Sequence, residues 1–108
     1  MTVYDLYGFM SNDIEGARNI LESSLGIQFG VRESAYQGGE YFQCGKTNDE
    51  HFVLKRNVDP IDGEPAEMSF PVHQILFYVN DTTRSADLQN RMNEGARDFA
   101  LLRHEELA

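Results

Sequence analysis

Three histidines, one cysteine and a surplus of carboxylates are the groups with chemistry to offer in this 108-residue chain. His51, His73 and His104 show neither His-x-x-x-His nor His-x-Glu-x-x-His spacing, so nothing local places two imidazoles on one metal ion. His73, at the start of an apolar run, reads as a capping or solvent-facing residue. Cys44 has no histidine near it in sequence to take its proton, and it falls in a strand pattern, which predicts a packed thiol rather than a nucleophile. Gly45-Lys46-Thr47 lacks the upstream glycine of a phosphate loop, and no Gly-x-Ser-x-Gly elbow is present. Glu33 and Glu40 could face each other across a hairpin, but a solvated rim is the ordinary reading of such a pair. The expectation is a protein with no catalytic constellation, no cofactor and no metal.

The carboxylates carry a different signal. Eighteen acids against nine bases leave a formal charge of −9 on 12.3 kDa. Nucleic acid and anionic membrane are poor partners for such a chain, because a phosphate backbone is bound by clustered Lys and Arg. A basic protein is favoured instead, since long-range attraction raises its encounter rate. A single cysteine excludes an internal disulfide and fits a reducing compartment. The opening MTVYDLYGF has no basic region and no long apolar run, which predicts no signal peptide. No stretch reaches the ~20 apolar residues of a membrane span. The expected location is the cytoplasm.

These groups must be positioned by a scaffold of one domain, given the length. Residues 4–10 are apolar and aromatic and predict a strand. Asn12 offers an N-cap with Glu15 at capping-box spacing. Ile14, Ala17, Ile20, Leu21 and Leu25 then fall at helical intervals, and Gly26 is placed to end the helix in the left-handed conformation. Ile27, Phe29 and Val31 alternate with polar or small residues as in a strand. Turns at 34–39, with Gly38-Gly39, and at 45–50 separate two further short strands, from Tyr41 to Cys44 and from Phe52 to Leu54. Residues 27–56 thus read as a three-stranded meander. Residues 57–71 hold all three prolines and Asp59, Asp62, Glu64 and Glu67 without a base. That composition predicts a long connecting loop, and loops of that length are often functional. Residues 72–79 predict a strand, and Asn80 to Thr83 offer caps for a second helix. Leu88 and Met92 are its apolar positions, and Asp87 and Arg91 are set to pair. Gly95 ends it, 99–102 form a last strand, and 103–108 read as a polar tail. The class is α+β, an antiparallel sheet with two helices, in the order βαβββ then βαβ.

The order and spacing of these signals predict one unit used twice, over 4–31 and 72–102. Asn12-Asp13 matches Asn80-Asp81, Gly26 matches Gly95, and Phe29 matches Phe99. The run NDIEGARNILESSLGIQF resembles the opening of a module of the vicinal oxygen chelate superfamily, which includes glyoxalase and bleomycin-resistance proteins. HQILFYVND resembles the start of its second module. The resemblance implies a truncated two-module scaffold, with module one at 3–56 and a partial module two at 72–104. In that family a His or Glu on the first strand of each module and a Glu late in each module hold a divalent ion. Here the first strand offers Tyr4 and Tyr7, the second offers His73, and the late position offers Lys55 and Arg56, which repel a cation. The resemblance therefore implies the scaffold without its metal.

Small size, acidity, an acidic proline-rich loop and the lack of a catalytic constellation are similar in type to the immunity proteins of bacterial contact-dependent toxin systems. That likeness implies a protein that occludes a basic toxin domain, a nuclease among the options. The candidate partner-binding residues are Asp59, Asp62, Glu64 and Glu67 in the loop, with Glu33, Tyr36, Glu40 and Tyr41 around the first hairpin. Two alternatives stand beside it. One is a small-molecule or metal-dependent homodimer with Tyr4, Tyr7 and His73 lining a cup. The other is an interaction module for an unspecified partner.

Overall fold

The computed structural model describes residues 2–34 and 39–107. Its elements are β1 (Thr2–Phe9), α1 (Ile14–Leu25), β2 (Gly30–Ser34), β3 (Gly39–Cys44), β4 (His51–Arg56), β5 (Ile75–Thr82), α2 (Ser85–Gly95) and β6 (Phe99–Leu107). The six strands form one sheet in the order β2-β3-β4-β5-β1-β6, with every neighbouring pair antiparallel. The class is α+β. The strands β4-β5-β1-β6 with the two helices form a split β-α-β arrangement, and the β2–β3 hairpin lengthens the sheet on one side.

Helix α1 forms because its apolar residues recur at one face. Ile14, Ala17, Leu21 and Leu25 are buried, and Ile20 packs on their margin. Asp13, rather than the expected Asn12, is the N-cap, and its carboxylate accepts from the Gly16 amide at 3.0 Å. Gly26 has φ 67° and its amide donates to the Glu22 carbonyl, so the left-handed cap forms as expected. The second helix departs from the first. Asn80 and Asp81 lie inside β5, and Asp81 has φ 55° where the β1–β5 register shifts. The cap position falls to Arg84, and Gly95 is the last helical residue rather than a left-handed cap. A Cβ on Gly95 would come within 2.5 Å of Ser24 Oγ, so this glycine serves the approach of the two helices.

The two units do share one packing feature. Phe77 lies at the middle of the sheet opposite Tyr7. Phe29 and Phe99, the matched residues of the repeat, both meet its ring edge-on, at 6.2 and 6.3 Å. Phe52 stacks on it at 6.0 Å. Alternation along the strands puts these rings under the helices with Phe9, Phe42, Leu54, Ile75 and Val79. The opposite face is covered in part as well. Leu6 and Leu76 are buried there, and His73 of the segment 57–74 that joins β4 to β5 lies over Gly8, the register partner of Leu76. This double burial explains the unbroken apolar run ILFYV in β5.

Three boundaries differ from expectation. Ile27 to Phe29 precede β2 as irregular chain, and Val72 to Gln74 belong to the loop. Residues 103–107, read as a tail, continue β6 along the edge of β1. No helix among the described residues is long and apolar enough to cross a membrane.

Candidate functional site

Five of the eight candidate residues gather at one end of the sheet. Antiparallel pairing of Phe42 with Leu54 puts the start of β3 and the end of β4 at the same end. The β2–β3 hairpin and the loop 57–74 therefore leave the sheet together. Glu33 and Glu40 are direct partners in the β2–β3 register and both are exposed. Like charges so placed repel, and water must solvate both. In the loop, a carboxylate oxygen of Asp59 accepts from the Ile61 amide at 2.9 Å, and Asp62 does the same for Glu64. The Asp59 amide in turn donates to the Glu64 carbonyl at 2.7 Å. These bonds fold 59–64 into a tight tip, with Gly63 at φ 75°. Asp62 and Glu64 are exposed and Asp59 is half-buried. None of Glu33, Glu40, Asp59, Asp62 and Glu64 is ion-paired among the described residues.

The other three are not part of this group. Tyr36 lies outside the described residues. Tyr41 pairs with Arg32 and sits half-buried on the helix-free face, one residue out of phase with Glu40. Glu67 turns inward. It receives Tyr78 Oη at 2.8 Å and a two-pronged contact from Arg103 at 3.2 Å on each oxygen. Burial opposes its charge, but the bonds from Arg103 and Tyr78 outweigh that and hold its pKa below the ordinary carboxylate value. Glu67 is thus the anchor by which the acidic loop docks on the sheet.

Reading by charge alone passed over the apolar residues of the same loop. Ile61 is 91% exposed, and Met68, Val72 and Val58 are exposed with it. Met10, in the β1–α1 connection, is exposed at that end too, beside a cavity of about 260 Å³ lined by Phe9, Met10, Ser11 and Asp98. The signal was present in the sequence as Val58, Ile61, Met68 and Val72 among prolines and acids.

The cup expected from Tyr4, Tyr7 and His73 does not form. Positions 4 and 7 differ by an odd number, so their side chains point to opposite faces. Tyr4 lines a groove on the helix-free face, and Tyr7 is buried in the core with an unpartnered hydroxyl. Burial, with Asp5 nearby, raises the Tyr7 pKa well above its ordinary value. His73 lies over Gly8, where its ring would be 2.6 Å from an added Cβ.

Two polar clusters were invisible to sequence spacing. Asp5 is 2% exposed and accepts from Ser85 Oγ at 2.6 Å and from His104 Nδ1 at 2.5 Å. The carboxylate stands between hydroxyl and imidazole, so the ring does not contact the hydroxyl and cannot activate it as a nucleophile. Glu50 accepts from Thr82 Oγ1 and is gripped by Arg84, with the shortest contact at 2.7 Å from each. The Arg84 bonds lower the Glu50 pKa, aided by Thr82 and opposed by burial. Among the described residues, no group of three or more His, Cys, Asp or Glu is arranged to hold a metal ion. No protein-family description matches this chain, and no curated protein is significantly similar to it.

Proposed function

We propose that this protein is a non-catalytic acidic binding protein that occludes a basic partner, most specifically an immunity protein that neutralises a toxin domain. The observation that carries the reading is that exposed carboxylates without ion pairs and exposed apolar side chains share one end of the sheet. Glu33, Glu40, Asp62 and Glu64 are exposed there, and Ile61 projects from the same loop. Apolar anchors inside a charged rim are the composition of a contact surface. The rim attracts a basic partner from a distance, and the anchors supply affinity once water is excluded. The scaffold would be a reduced relative of the vicinal oxygen chelate modules that its two runs resemble.

The test is affinity capture from the source cell, followed by titration of the captured partner at low and high salt. A basic partner is expected, with affinity falling by about tenfold or more as salt screens the rim. The triple variant Asp59→Lys, Asp62→Lys, Glu64→Lys should abolish steering, and Ile61→Asp should speed dissociation. A partner without net positive charge, or binding unchanged by the triple variant, rejects the proposal.

A further inference from the structure

Asp98 is an exposed acid that meets no base. It stands in the turn between α2 and β6, and among the described residues its carboxylate makes no hydrogen bond and no ion pair. The turn itself is fixed. The Ala96 amide donates to the Met92 carbonyl at 2.8 Å, and the Phe99 amide to the Ala96 carbonyl at 3.1 Å. Two arginines lie at this end of the sheet and both are committed elsewhere. Arg97, next in sequence, donates from Nε to the Asn93 carbonyl at 3.2 Å. Arg56 shares a row of the sheet with Ile75, Phe9 and Phe99. Its Nη1 donates to the Asn12 carbonyl and to Asn12 Oδ1, at 2.9 and 2.7 Å.

Asp98 lines the cavity of about 260 Å³ at the end of β1, with Phe9, Met10 and Ser11. Phe9 is buried and its ring stacks on Phe99 at 4.5 Å, so one wall is a fixed apolar surface. Met10 is 57% exposed and supplies an adjustable second wall. Its carbonyl accepts from Gln74 Nε2 at 3.2 Å, which ties the cavity to the end of the acidic loop. The volume is below the ~300 Å³ at which pockets for drug-sized molecules begin, and it suits a single side chain. Apolar walls take an aliphatic stem, and a carboxylate without a counter-ion takes a cationic head. An anion is disfavoured twice. Asp98 repels it, and the N-terminus of α1 beside Ser11 is already capped by the Asp13 carboxylate.

We infer that this cavity receives one arginine side chain of the basic partner, its stem on Phe9 and Met10 and its guanidinium on Asp98. A guanidinium suits it better than an ammonium, because its flat fork matches a carboxylate and lies along apolar walls. The inference rests on the proposed function and adds to it the kind of side chain that is recognised. It also carries the contact surface from the acidic loop to the α2–β6 turn.

The experiment is a nuclear magnetic resonance titration of the labelled full chain at low salt with Nα-acetylarginine amide, with Nα-acetylcitrulline amide as the neutral isostere. The arginine compound should shift the amides of Met10, Ser11 and Asp98 and the Met10 methyl saturably, at a dissociation constant below about 10 mM. The citrulline compound should bind at least about fivefold more weakly. Asp98→Asn should lose at least about fivefold in arginine affinity. Asp49→Asn removes the same charge at the β3–β4 turn, at the opposite end of the sheet, and should stay within about twofold of the parent. No saturable shift, equal binding of the citrulline compound, no loss in Asp98→Asn, or an equal loss in both variants overturns the inference. The citrulline comparison decides even if Asp98→Asn does not fold. The probe contains no partner, so its failure leaves the salt-dependent capture of a basic protein to be judged on its own.

Discussion

Both ring nitrogens of His104 face carboxylate oxygens, Nδ1 that of Asp5 and Nε2 that of Glu106 at 3.2 Å. Carboxylates only accept, so the doubly protonated ring, donating from both nitrogens, is the form that satisfies both contacts. The hydrogen bond to Glu106 and then that to Asp5 raise its pKa. A folded value above the ordinary ~6.5 makes its contribution to stability complete below about pH 6.5 and lost as pH climbs through the raised value. The parent should therefore lose stability relative to His104→Gln as pH rises from about 6.5 toward 8. Urea melts of both proteins across that range measure it. Parallel profiles would mean that folding leaves the pKa of the ring unshifted. The same residue also closes β6 onto β1, because Asp5 and His104 are register partners.

The loop 57–74 behaves as an element although it contains no helix or strand. Asn57 organises it and is 7% exposed. Its amide nitrogen donates to the carbonyls of Phe70 and His73 at 3.0 and 2.9 Å, and its amide oxygen accepts from Glu67 N at 2.8 Å. The three bonds curl the chain so that Glu67 reaches Tyr78 and Arg103. Asn57→Asp replaces the donor with a carboxylate facing two carbonyl oxygens. We expect a loss of about 3 kcal/mol, from two lost hydrogen bonds and a poorly solvated charge. Chemical denaturation gives the value, and a loss under about 1 kcal/mol would show that the loop docks without this staple. The proline content was legible as irregular chain, but the docking was not. Glu67 looks like its neighbours in sequence and differs only in what lies beneath it.

For the molecule as a whole, the charge of −9 is a stability term as well as a binding one. Arg18, Arg84, Arg91 and Arg103 are engaged in ion pairs, so much of the positive charge is already matched. The acids left over repel one another across the surface. Sodium chloride should therefore raise the urea midpoint, by an amount worth about 1 kcal/mol between low salt and roughly 0.5 M. A fall in the midpoint would mean that screening the surface ion pairs costs more than relieving the repulsion.

The sequence by itself determined the α+β class, helix α1 with its buried stripe and glycine cap, and the β2–β3–β4 meander. Each is a local matter, written in a period of 3.6 or 2 and in turn residues a few positions apart. It also determined the acidity and the position of the proline-rich connection. Tertiary structure alone decided the rest. Residues 103–107 carry no alternating apolar pattern and are strand because the edge of β1 offers hydrogen-bond partners. Asp5, Ser85 and His104 meet because β6 and α2 flank β1, a fact of topology that no spacing encodes. Glu67 is half-buried against Arg103 and Tyr78 while Asp62 and Glu64 stay in water. Charge is a property of the residue, but its pairing and its solvation depend on which distant segments fold against it.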